Sequence, residues 1–315
     1  MIYTIENEYI TACISDLGAT LVKLIDKKSG TDLVLGFEDE KDYLLNSGAN
    51  IGASVGRNAN RIGNAEFVLN GTGYHLTKND NNNQLHGGGD KGFAFKRWTK
   101  ESLSETEIVL SYYSKDGEEG FPGNMKVSVS YQLRNNTLTW AYSGISDEDT
   151  VFNMTNHSYI CLGDDNILNQ ELRIYTDRYS PVDEYSLTKD EVLPVKDTAF
   201  DFTDYRRIGD NLSMTEKGID NNYVWENMDE KLQASLRNDR IQLDVYSDLP
   251  DMHLYTAYYL SAKNGKYGKD YDKYSALCLE SQFYPNGINY KDYIKPILKK
   301  NKAVSHYIRY EIKER

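Results

Sequence analysis

Hydrophobic and polar residues alternate along this chain in short period-two runs separated by turn residues. From Lys126 to Leu133, Val127, Val129, Tyr131 and Leu133 share one face; Asn135 and Asn136 can turn the chain, and Leu138, Trp140 and Tyr142 resume the alternation. That is the signature of a hairpin with one buried face. Ala19 to Asp26, a turn through Lys27 to Thr31, and Leu33 to Gly36 predict two further strands around a turn. Glu107 to Tyr113, Leu172 to Tyr175, Arg240 to Tyr246, Leu254 to Leu260 and His306 to Ile312 also read as strands. Helical periodicity is confined to Glu38 to Leu45 and Asp229 to Leu236, each about two turns and too short for a crossover helix. Without strand-helix-strand units the sheets should be antiparallel, which predicts an all-β fold, a large sandwich or barrel with ligand loops on one face. No linker interrupts residues 1 to 315, so a single domain is expected.

Composition narrows the partners. The formal net charge of −12 gives no basic footprint for nucleic acid, and a small neutral ligand fits better. With 26 tyrosines the core is lined by side chains that pack and hydrogen-bond at once. Cys13, Cys161 and Cys278 are too scattered for a disulfide framework or a zinc site and read as reduced thiols. The N-terminus has no basic segment followed by an apolar one, and no run is long enough to span a bilayer, so a cytoplasmic protein without membrane contact is expected.

Candidate chemistry centres on Glu280. Leu277, Cys278 and Leu279 form an apolar run of strand length, and Pro285, Asn286 and Gly287 end it, which places Glu280 where the chain leaves the core. A carboxylate there is partly desolvated, and its raised pKa suits a general base. The bland alternative is a glutamate facing solvent at a strand end. His86 lies among glycines in Asn83-Gln-Leu-His-Gly-Gly-Gly89, and His157 lies in the polar Thr155-Asn-His-Ser-Tyr159. Either could be a core histidine with a satisfied ring. No His-x-x-x-His or His-x-His pair is present, so no metal is expected. Arg57, Arg61 and Asp220 stand beside Gly and Asn in loops, where charge is usually just solvated. Ser281 lacks the Gly-x-Ser-x-Gly elbow of a nucleophile.

Eight pieces in order, Gly56-Arg-x-Ala-Asn-Arg-Ile62, Leu85-His-Gly-Gly88, Gly120-Phe-Pro-Gly123, Thr155-Asn-His-Ser-Tyr159, Tyr179-Ser-Pro-Val-Asp-Glu184, Phe200-Asp-Phe202, Gly218-x-Asp220 and Cys278-Leu-Glu-Ser-Gln282, resemble the aldose 1-epimerases, the galactose mutarotases. The resemblance runs from about residue 50 to 290. It implies a β-sandwich of the mutarotase type whose open face binds a hexose, as a monomer or homodimer, with no cofactor. By motif, Glu280 looks like the general base and His157 the general acid. Asn60, Arg61, His86, Tyr159, Asp220 and His253 look like substrate-binding residues. The sequence departs from the family's pattern at Gly92-Phe-Ala-Phe-Lys96, which lacks an Asp, at His253, where a Gln is frequent, and at Cys161-Leu-Gly-Asp164. Those departures bear on sugar preference more than on reaction type.

Interconverting α and β anomers requires a proton to leave the C1 hydroxyl while another reaches the ring oxygen. A carboxylate and a histidine can do this without a metal. The rate is then expected to fall in acid as Glu280 protonates and in alkali as His157 loses its proton. The rival readings are a hexose-6-phosphate epimerase, a non-catalytic sugar binder on the same scaffold, and a glycoside-processing enzyme, although the last would use two carboxylates.

Overall fold

The expected hairpin forms as Met125–Arg134 and Thr137–Ser146, with Asn135 in the left-handed region at φ 51°. A nine-stranded antiparallel sheet grows from it. Its order is Thr99–Leu103, Glu107–Ser114, Met125–Arg134, Thr137–Ser146, Val304–Glu314, Ile241–Ser247, Lys231–Arg237, Glu171–Ile174 and Arg206–Arg207. The computed structural model describes residues 1–315, the side chain of Asp90 excepted. Val127, Val129, Tyr131, Leu138, Trp140 and Tyr142 are all buried, and each such side chain removed from water contributes about 1.5 to 3 kcal/mol.

A six-stranded antiparallel sheet packs against that face: Tyr159–Ile160, Leu277–Gln282, Asp251–Tyr255, Asp220–Val224, Arg178–Ser180 and Leu193–Pro194. Its inner face supplies Met252, Leu254, Leu277, Leu279 and Tyr223 to one core shared with the larger sheet. The result is an all-β antiparallel sandwich with only two short α-helices, Glu40–Leu45 and Ile208–Leu212, among the described residues. A buried Ser281 Oγ donates to Gln233 Oε1 of the opposite sheet at 2.5 Å, one polar tie through an apolar interior.

Four sequence expectations are corrected. The strand expected over Leu33 to Gly36 is the short Thr31–Asp32, and beyond it only Val34 makes an isolated bridge, to Ile160. Asp229 to Leu236, expected as helix, is the strand Lys231–Arg237, paired on both edges, with Leu236 opposite Leu172 on one side and Leu243 on the other. A two-turn helix is marginal alone, whereas a central strand satisfies its backbone on both sides. The strand expected over Leu254 to Leu260 runs instead from Asp251 to Tyr255, because Ala257 takes φ 53° and cannot continue an extended ladder. Glu280 does not stand where the chain leaves the core; it lies inside Leu277–Gln282, a strand buried along its whole length. Leu279 and Ser281 face the other sheet, and Cys278, Glu280 and Gln282 face outward beneath covering loops.

Candidate active site

Register assembles the outer face of the six-stranded sheet. His253 pairs across the ladder with Glu280 on one side and Asn222 on the other, and Tyr255 pairs with Cys278 and Asp220. Tyr159 pairs with Cys278 at the edge. A loop through residues 56 to 61 is laid over this face, anchored by Arg57. The Arg57 guanidinium is buried and donates to Ser114 Oγ at 2.8 Å and to the carbonyls of Pro122 at 2.7 Å and Gly123 at 2.9 Å. Arg57 is thus a structural peg, and Arg61 is the arginine that reaches the pocket. The adjoining His86 loop packs so closely that a Cβ on Gly87 would meet the Gly56 carbonyl oxygen at 1.9 Å; Gly87 also sits at φ 74°.

All of the site residues named from sequence line one cavity of about 480 Å³: Asn60, Arg61, His86, His157, Tyr159, Asp220, His253 and Glu280. Glu280 Oε1 lies 3.7 Å from His157 Nε2. Tyr159 stacks on the His157 ring at 5.2 Å between centroids, and His86 meets it edge-on, also at 5.2 Å. His253 Nε2 is 2.7 Å from Asp220 Oδ1, and Arg61 Nε donates to Asp80 Oδ2 at 2.7 Å. Sequence reasoning missed Asp80, which sits in the featureless polar run Lys78 to Asn83, and Tyr255, whose only sequence signal is its place one strand residue beyond His253 and Leu254.

Burial governs the proton affinities. Glu280 is 2% exposed, and desolvation pushes its carboxyl well above the ordinary range; Asp220 adds to the rise and Arg61 opposes it. Its Oε2 has no protein partner. Burial lowers His157 to about 4, with its own backbone pulling the other way, and lowers His86 well below the usual imidazole range, helped by His157 and Arg61. Burial alone would raise Asp220, but the hydrogen bond from His253, then Arg61 and His157, hold it below its usual value.

His86, His157 and Glu280 offer potential ligand atoms within 4.8 Å of one another, a grouping that sequence spacing did not suggest. The rings argue for a different use. The backbone N–H of Asn60 donates to His86 Nδ1 at 3.2 Å, so the neutral ring carries its proton on Nε2, which makes that nitrogen a donor and not a ligand. Arg61 is the one lysine or arginine among the described residues lining the cavity, and Asp80 already pairs with it. A phosphoryl group would therefore find little to bind it. No helix among the described residues is long and apolar enough to cross a membrane.

The aldose 1-epimerase family model matches residues 1–311. Galactose mutarotase from Sus scrofa is 36% identical over 317 aligned positions, covering 96% of this chain and 91% of that protein. Aldose 1-epimerase from Escherichia coli is 30% identical, covering 92% and 88% respectively. Among solved structures, an aldose epimerase homologue from C. elegans superposes with a TM-score of 0.93 at 28% identity, covering 100% of this chain and 99% of that one. A galactose 1-epimerase from Lactobacillus acidophilus gives 0.87 at 27% identity, covering 99% and 93%. The chain belongs to the aldose 1-epimerase family and is an isomerase of that family.

Proposed function

We propose that this protein interconverts the α and β anomers of free hexoses, galactose and glucose among them, with Glu280 as general base and His157 as general acid, within one domain formed by residues 1 to 315. The observation that carries the reading is the opposition of Glu280 Oε1 and His157 Nε2 at 3.7 Å on the cavity wall, with Glu280 Oε2 unpartnered. The C1 hydroxyl and the ring oxygen of a pyranose share one carbon, so the two protons exchanged lie close together, and two groups at that separation suit them. Glu280 takes the hydroxyl proton while His157 protonates the ring oxygen, and the C1–O5 bond breaks to give the open aldehyde. Rotation about C1–C2 presents the other carbonyl face. On closure His157 recovers its proton from the C5 hydroxyl, and Glu280 returns its proton to the new C1 hydroxyl. Each positioned acid or base typically contributes about 10² to 10⁴-fold.

The remaining groups hold the sugar. Asp220 accepts from hydroxyls, His86 donates through Nε2, Arg61 donates through the guanidinium nitrogens that Asp80 leaves free, and Tyr159 keeps the His157 ring in plane. The proton affinities alter the expected pH behaviour in one respect. With Glu280 raised and His157 lowered, the pair holds one proton across the intervening range, and that proton rests mostly on Glu280. The acid limb then belongs to His157 and the alkaline limb to Glu280, the reverse of the sequence expectation. NMR exchange spectroscopy on α and β galactose and glucose tests the function. Enzyme-dependent cross-peaks for the free hexoses, and much weaker ones for their 6-phosphates, are expected. Sugar affinity without exchange would leave a binding protein instead.

A further inference from the structure

Four hydrogen bonds around the pocket form one chain whose donors and acceptors are all determined. The Arg61 backbone N–H donates to Asn60 Oδ1 at 2.8 Å, which turns the other end of that amide, Nδ2, toward His253 Nδ1 at 3.3 Å. An amide nitrogen can only donate, so Nδ1 of His253 accepts, and the neutral ring carries its proton on Nε2. That nitrogen is 2.7 Å from Asp220 Oδ1, which can only accept. At the other end, the backbone N–H of Asn60 occupies Nδ1 of His86. Both ring nitrogens of His253 are therefore engaged by protein groups, and the ring is 3% exposed. Nothing polar on it remains for a sugar hydroxyl.

From this geometry we infer that His253 is a positioning residue: it links the Asn60 loop to Asp220 and holds the Asp220 carboxylate in the rotamer that receives the sugar. The inference rests on the reading of Asp220 as a sugar acceptor. One ring thereby ties the Asp220 carboxylate on a sheet strand to the Asn60 side chain of an irregular loop, so that Asp220 is oriented before substrate arrives. Such preorganisation lowers the ordering cost of binding. A glutamine can make the same two bonds, accepting through Oε1 and donating through Nε2, whereas leucine can make neither.

Sugar titration into a double-mutant cycle tests this. Asp220→Ala and His253→Leu should each weaken binding about tenfold or more, and the double variant should be no worse than Asp220→Ala within about twofold, because the second change acts through the first. His253→Gln should stay within about threefold of wild type. Multiplying effects, or a glutamine variant as weak as leucine, would show that the imidazole meets the sugar itself and would overturn the proposal. Asp220→Ala without effect on binding would remove the sugar acceptor, and the proposal with it. Should the leucine variant fail to fold, ¹⁵N NMR of wild-type His253 decides: protonation at Nε2 alone is expected, and protonation at Nδ1 contradicts the chain of bonds.

Discussion

The inner face of the nine-stranded sheet and the outer face of the six-stranded sheet are buried to a similar degree but use burial in opposite ways. Val129, Tyr131 and Trp140 are fully buried apolar or aromatic side chains, and their removal from water is what stabilises the sandwich. Glu280 and His157 are 2% and 6% exposed, yet their burial costs free energy, which appears as a raised carboxyl and a lowered imidazole. The apolar face provides the stability against which the polar face can be held desolvated. A site of this kind is thus strained in its ionisation rather than in its packing.

Substitutions on the two faces should separate stability from turnover. The largest effect is expected for Trp140→Ala, which empties space against Tyr310, its edge-on neighbour at 4.6 Å. It should lower unfolding stability by about 3 to 5 kcal/mol in urea titrations while leaving turnover per folded molecule nearly unchanged. Glu280→Gln should do the reverse: turnover should drop by about 10² or more, with sugar binding retained and the urea midpoint not lowered, since a neutral amide of the same size replaces a carboxyl that already carries a proton. Asp220→Ala should appear as weaker sugar binding, about 1 to 3 kcal/mol by calorimetric titration, with a smaller change in kcat. Ile145→Thr, on the exposed outer side of the nine-stranded sheet, should stay within about 0.5 kcal/mol of wild-type stability. If the tryptophan variant lost turnover out of proportion to its unfolding, the division between the two faces would fail.

The same contrast explains what the sequence made legible. The Met125–Arg134 hairpin was readable because one face meets the core and the other is more open, so apolar residues alternate with polar ones. Leu277–Gln282 has no open face: Leu277, Leu279 and Ser281 turn to the core, and Cys278, Glu280 and Gln282 are buried on the other side, so no exposed polar period marks the strand and Glu280 looked like its end. Lys231–Arg237 is interrupted by a bulge between Leu232 and Ala234, which blurs its period toward that of a helix. At the site, residue identity came from ordered motifs, but partnership did not. Arg57 is held largely by carbonyls some 60 residues further along the chain, Asp80 sits in an unpatterned loop, and His253 resembled a sugar contact although protein groups occupy both its nitrogens. These are long-range facts with no local trace.

The proposed sharing of one proton between Glu280 and His157 is tested by the pH dependence of anomer exchange, corrected for the solvent-catalysed background. With the proposed roles, the base is lost once both groups are protonated, below about 4, and the acid is lost once neither is, above the raised Glu280 midpoint. A bell is expected with its acid limb near 4 and its alkaline limb well above the ordinary carboxyl range, and Glu280→Gln should abolish the alkaline limb along with most of the rate. A wild-type rate that kept rising into alkali, or a Glu280→Gln enzyme with the full bell, would contradict it.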